Sequence, residues 1–216
     1  MTPVPTNVCH HIPDDILQAY VTGSLPHVFS VVVASHVSLC DDCRAVVEAQ
    51  EALGGAVLDG CEAEAADQNL KACTLALLDR PIRVAAPEAR RSGIFPGPIM
   101  AELKGRPPKW KMLGGGIRQT ILAAGAEGSV RLLYIPGGKA VPDHGHNGLE
   151  LTLVLQGAFH DATGTFGPGD VQVASDDLDH APIANMGEPC VCLAATDAPL
   201  RFRSLVPRLL QPIFRI

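Results

Sequence analysis

Two groups of side chains in this 216-residue chain have the types and spacing to hold a metal ion. The first is His36, Cys40 and Cys43, a His-x3-Cys-x2-Cys string whose offsets of four and three residues put all three on one face of a helix. Imidazole and thiolate are donors that tetrahedral zinc favours, and a structural zinc site closes with four protein ligands. The fourth must come from elsewhere, and His10 and His11 stand just ahead of the first expected helix. His11 is the nearer neighbour of the second helix and the choice here; His10 is the fallback. A core histidine beside two buried thiols is the plainer alternative, cysteine being often buried, but the combined spacing argues for a ligand set.

The second group is Gly138-x5-His144-x-His146-x3-Glu150-x6-Gly157. Residues two apart on a strand face the same way, so His144, His146 and Glu150 can share one side. His180 lies one strand length beyond the turn Gly167-Pro168-Gly169-Asp170 and can add a ligand from an adjacent strand. Three imidazoles and a carboxylate leave positions open on an ion that accepts five or six ligands, where water, substrate or oxygen species can bind. The competing reading is a solvated turn around Asp143, Gly145 and Asn147. His27 and His160 read as satisfied surface residues, Cys9, Cys61 and Cys73 as ordinary thiols, and Cys190 and Cys192 as packing on one side of a strand.

The elements that must position these groups change character along the chain. Ile16, Leu17, Tyr20 and Val21 recur with helical spacing and stop at Gly23, with Pro13, Asp14 and Asp15 suited to a helix start. Further helices are expected at about 27–37, 40–53 ahead of Gly54-Gly55, and 62–78. Beyond residue 97 short apolar runs take over, at 117–122, 130–135, 149–155, 171–174 and 191–195, separated by Gly- and Pro-rich turns; this is the grammar of a β-sandwich or barrel. The stretch between is rich in Pro, Ala and Arg. The expected organisation is therefore α+β with two domains: a helical bundle over 1–80, a linker over 81–97 and a β-barrel over 98–216.

Charge divides the same way. The net charge is −6, yet residues 1–80 hold three basic against eleven acidic residues, a balance of −8. Phosphates would be repelled there, which speaks against direct DNA binding and for a basic protein partner. No apolar run nears the roughly 18 residues of a membrane span, and the N-terminus lacks a signal-like pattern, so a cytoplasmic location is expected. Seven cysteines, an odd number, do not suggest a disulfide scaffold.

The string from Gly138 to Gly157 resembles the first motif of the cupin superfamily, small β-barrels whose corresponding histidines and glutamate bind metal. Pro168-Gly169-Asp170 and His180 fit the second cupin motif, with Asn185 one residue later than usual. His11, His36, Cys40 and Cys43 resemble the ligand set of the zinc-binding anti-sigma domain. The order of helical zinc module, linker and cupin barrel is similar to the ChrR family of anti-sigma factors over nearly the whole chain. Segments such as Pro142-Asp143-His144-Gly145-His146 and Leu193 to Phe202 strengthen the likeness.

The resemblance implies a cytoplasmic regulator that masks an extracytoplasmic-function sigma factor with its first domain and responds through its barrel to singlet oxygen or related oxidants. Zinc is the expected ion in both sites, with iron, manganese or nickel as alternatives in the barrel. The rival function is a metal-dependent oxygenase or isomerase that uses the first domain only for docking. No second catalytic base or further cofactor signature accompanies the barrel ligands.

Overall fold

Pro13 and the acids behind it open α1 (Asp14–Val21), where Asp14 and Asp15 meet the positive end of the helix dipole. α2 (His27–Val37) is apolar on nearly every side and buried at Val28, Phe29, Val31, Val32, Val33, Ser35 and His36, as befits a helix enclosed by others. Cys40 caps α3 (Asp41–Asp59), its sulfur accepting from the Cys43 N–H. α4 (Leu70–Leu78) and α5 (Gly97–Glu102) complete the helices. The computed structural model describes residues 8–78, 89–175, 178–199 and 201–202.

Two helix boundaries differ from expectation. α3 runs through Gly54-Gly55 to Asp59. A glycine costs a helix about 1 kcal/mol but does not forbid it, and the Ala, Val and Leu around the pair are good enough to carry the helix to Gly60. The last helix begins at Leu70 rather than 62. The acids from Glu62 to Asp67 offer no apolar stripe to bury, and the Asp67 carboxylate accepts from the Asn69 N–H at 2.6 Å, marking the turn before the helix.

The strands are β1 (Lys111–Gly114), β2 (Ile117–Gly125), β3 (Gly128–Ile135), β4 (His144–Gly145), β5 (Glu150–Gln156), β6 (Phe159–Asp161), β7 (Gly164–Phe166), β8 (Val171–Ala174), β9 (Asp179–His180), β10 (Ile183–Ala184), β11 (Cys190–Thr196) and β12 (Arg201–Phe202). They form an antiparallel sheet in the order β1-β2-β3-β11-β5-β8 and two three-stranded sheets, β10-β6-β7 and β12-β4-β9. The barrel is thus three ladders rather than one closed one.

Strands β5 and β11 are buried along six consecutive residues each, because both faces of the large sheet are covered. Val154, Cys190 and Cys192 pack inward with Phe159 and Phe166. Leu151, Leu153 and Leu193 face the other way, into one apolar cluster with Leu17, Phe29, Val32 and Val33 of the helices. The helical module therefore packs on the outside of the barrel, and α2 lies against β3, β5 and β11. Burying Phe29 alone, 2% exposed, contributes roughly 1.5–3 kcal/mol. Of the expected linker, the part up to residue 88 lies outside the described residues, and Gly97 already begins α5.

Candidate metal centres

His11, His36, Cys40 and Cys43 come together with one donor atom of each within 4.8 Å of the others. The turn from α2 into α3 positions three of them: His36 lies in the last turn of α2, Cys40 caps α3 and Cys43 lies in its first turn. The His11 Nδ1 is 3.3 Å from the Cys40 sulfur and 3.6 Å from that of Cys43. A tetrahedral zinc with bonds of about 2.3 Å to sulfur and 2.05 Å to nitrogen sets such pairs about 3.5 Å apart, so the spacing fits that ion. His10 points elsewhere, its ring 4.4 Å from that of Phe166 and its Nδ1 3.4 Å from the Asp170 carboxylate.

The His36 ring decides the chemistry. Its Nδ1–H donates to the Gly169 carbonyl at 2.9 Å, which fixes the tautomer. Its Nε2 is buried without a hydrogen-bond partner, and a lone pair so placed is suited to a cation. Burial, only partly opposed by the bond to Gly169, lowers its pKa to about 4, so the ring is neutral as a ligand must be. Burial also pushes the Cys43 thiol up to about 11, with Cys40 adding to the rise. A metal bound at this centre would therefore displace protons.

In the barrel, His144, His146 and His180 converge in the same way, all three buried. β4 and β9 pair so that His144 stands directly opposite His180. The glycines that bracket the motif, Gly138 and Gly157, have φ of 75° and 67° and turn the chain where a side chain would be strained. The His144 Nδ1 donates to the Pro142 carbonyl at 2.8 Å, and the His180 Nδ1 meets Asp161 at 2.6 Å. Both rings are so oriented that Nε2 faces the centre. The Nε2 atoms of His146 and His180 are 3.2 Å apart, close to the roughly 3.3 Å of two nitrogens on a tetrahedral zinc. Burial lowers the pKa of both His144 and His146 despite the nearby Glu150 charge.

Glu150 stands beside this trio rather than within it. Its Oε2 is 3.6 Å from the outer Nδ1 of His146, and its Oε1 accepts from the Thr152 hydroxyl at 2.9 Å. His160 is satisfied by Asn185 at 2.7 Å and His27 by Glu102 at 3.0 Å. Cys190 and Cys192 are buried in the apolar interior.

Two functional residues escaped sequence reasoning. Asp161 orients His180; burial pushes its carboxyl up, but hydrogen bonds from Thr163, Gln172 and His180 outweigh this and hold it well below the usual carboxylate range. Such a carboxylate behind a ligating histidine fixes the ring and raises its basicity. Asp170 binds the chain start: its Oδ1 accepts from the Cys9 and His10 N–H groups at 2.7 and 2.9 Å, and its Oδ2 from the Gly167 N–H at 2.8 Å. The turn signal at 167–170 was visible, but its partners lie about 160 residues away.

Comparison with known proteins bears on both halves. Residues 104–198 match the model of the ChrR cupin-like domain family. The chain is 52% identical over 210 residues to the anti-sigma-E factor ChrR of Cereibacter sphaeroides, covering 96% of this chain and 98% of that protein. It also resembles a chain in the crystal structure of Rhodobacter sphaeroides SigE in complex with the anti-sigma ChrR, with a TM-score of 0.76 and 46% identity over 88% of this chain and 100% of that one.

Proposed function

The chain belongs to the ChrR family of anti-sigma factors, and from that premise we propose that residues 1–80 sequester an extracytoplasmic-function sigma factor until the barrel, residues 98–216, detects an oxidant. The work is that of a binding protein in transcription regulation, not of an oxygenase or isomerase. A cytoplasmic place is part of this reading; no helix among the described residues is long and apolar enough to cross a membrane.

One observation carries the docking surface. No residue from 51 to 78 is buried, yet Leu53, Val57, Leu58, Leu70, Leu75, Leu77 and Leu78 are each more than half exposed. Seven large apolar side chains along the second half of α3 and α4 are far more than scattered surface residues, and such a concentration marks an interaction surface. Glu51, Asp59, Glu62, Glu64 and Asp67 accompany it, which suits a basic partner.

His11, His36, Cys40 and Cys43 would hold zinc, which supplies a cross-link between the chain start and the α2–α3 turn. The sulfurs sit at the start of α3, and a bound cation would displace their protons. His144, His146 and His180, with Glu150 beside them, would hold the barrel ion: zinc, or iron, manganese or nickel. Three donors leave room there for singlet oxygen or a related oxidant to change the coordination. Such a change releases the sigma factor only if the bound and released states differ in their affinity for it.

Co-expression with the sigma factor encoded beside this chain tests the reading. A stable complex is expected, and Leu75→Asp with Leu78→Asp should weaken it by at least about 100-fold, as losing a core cluster of hot-spot contacts does. Undiminished binding by that variant would contradict the docking surface.

A further inference from the structure

Inside the fold the two centres are joined by hydrogen bonds at either end of the short backbone stretch from Gly169 to Gln172. His180 and Asp161, each 1% exposed in its side chain, meet at 2.6 Å. The same Asp161 oxygen, Oδ2, accepts from the Gln172 Nε2 at 2.7 Å, and that nitrogen also lies 2.8 Å from the Thr163 hydroxyl. Gln172 belongs to β8 and is 4% exposed. One residue back, the Val171 N–H donates to the His10 carbonyl at 3.1 Å. Next come the Asp170 carboxylate, holding the Cys9 and His10 N–H groups, and the Gly169 carbonyl, holding His36.

Gln172 is only three positions along the chain from Gly169, a reach of roughly 10 Å when extended.

We infer that β8 and the turn before it are a mechanical link between the two metal centres, with Asp161 and Gln172 as its positioning residues. The link deepens the anti-sigma reading by supplying its regulation, and rests on that reading only for its consequence. An imidazole that binds a cation through Nε2 is a stronger donor from Nδ1. His180 and Gln172 compete for one oxygen of Asp161, so a change at His180 alters the pull on Gln172.

Both partners are buried, and a weakened contact there is not made good by water. β8 is the last strand of its ladder, bonded to β5 on one side, and its other edge begins at His10. With the turn before it, this edge strand positions His36 directly through the Gly169 carbonyl and His11 through its neighbour His10.

The test reads thiol reactivity, not sigma release. Full-length chain with two zinc ions bound is treated with iodoacetamide, and alkylation of the peptide carrying Cys40 and Cys43 is followed by mass spectrometry. His144→Ala, which opens the barrel centre without touching the link, should speed this alkylation about 10-fold, within the usual range of coupling between sites. In a Gln172→Met background, shown first to hold two zinc ions, the same His144→Ala change should move the rate less than about 2-fold.

Equal acceleration in the two backgrounds, or none in the native one, overturns the inference. Gln172→Asn, too short to reach Asp161, replaces Gln172→Met if that variant does not fold, with the same result expected. Sigma-factor co-purification run in parallel separates the two ideas. Coupled thiols in a chain that holds no sigma factor leave the link standing and sink the anti-sigma reading; a tight complex with uncoupled thiols does the reverse.

Discussion

The thiolate centre and the barrel centre use the same histidine chemistry to different ends. The first gathers two sulfurs and two imidazoles, a complete tetrahedral set, around one helix start. The second gathers two imidazoles from the paired β4 and β9 and a third from just beyond β4, and keeps a carboxylate to one side. A closed set holds structure, whereas an incomplete one leaves room for chemistry. The orienting partners differ too. His180 is held by a charged side chain of its own barrel, but His36 is held by the Gly169 carbonyl of the other half. The centre that shapes the helical module is thus propped by the barrel.

The contrast is sharpest under ligand replacement. Cys43→Ala should empty the thiolate centre, abolish sigma binding and lower the thermal midpoint, while metal analysis still finds the barrel ion. Since folding and metal binding are one free energy in such modules, this is the largest effect expected. Asp161→Asn should weaken barrel metal binding by about 10- to 100-fold, the usual result of removing a carboxylate behind a ligating histidine, with the thiolate centre still loaded. Equal loss from both centres would break the division between them.

Asp170→Ala strikes the junction. It removes the acceptor of three part-buried hydrogen bonds from the Cys9, His10 and Gly167 N–H groups, each worth about 0.5–1.5 kcal/mol, and denaturant unfolding would measure the loss. The sign of its pH dependence follows from the carboxyl, which burial raises but hydrogen bonds from Gly167, Cys9 and His10 hold below the ordinary 3.8. Its stabilising contribution is present above that pH and fades as pH falls through the depressed value. Asp170→Ala should therefore lose less stability on acidification than the native chain. The smallest effect belongs to His160→Ala, outside both centres, which should change stability by less than about 0.5 kcal/mol and leave both ions bound.

Legibility followed distance along the chain. α2 begins and ends at the residues its apolar pattern indicated, and His36, Cys40 and Cys43 fall together because they are spaced within two turns. His144 and His146 also lie together, but not by the alternation expected of one strand: β4 ends at Gly145, and the chain leaves strand geometry over 146–149 before Glu150 opens β5. The run Leu151 to Leu155 is buried on both sides, one against the helices and the other in the barrel interior. What could not be read was the company each residue keeps across the fold. Asp161 looked like any acid at a strand end, and nothing near Gly169 in sequence points to His36, which lies 133 residues away.

The central claim is that the closed centre grips and the open centre reports. Native mass spectrometry of the sigma complex, formed with His144→Ala and with Cys43→Ala, tests it in one experiment. An intact complex carrying one ion per chain is expected for His144→Ala and no complex for Cys43→Ala. A complex that survives Cys43→Ala, or that needs His144 to form at all, would contradict it.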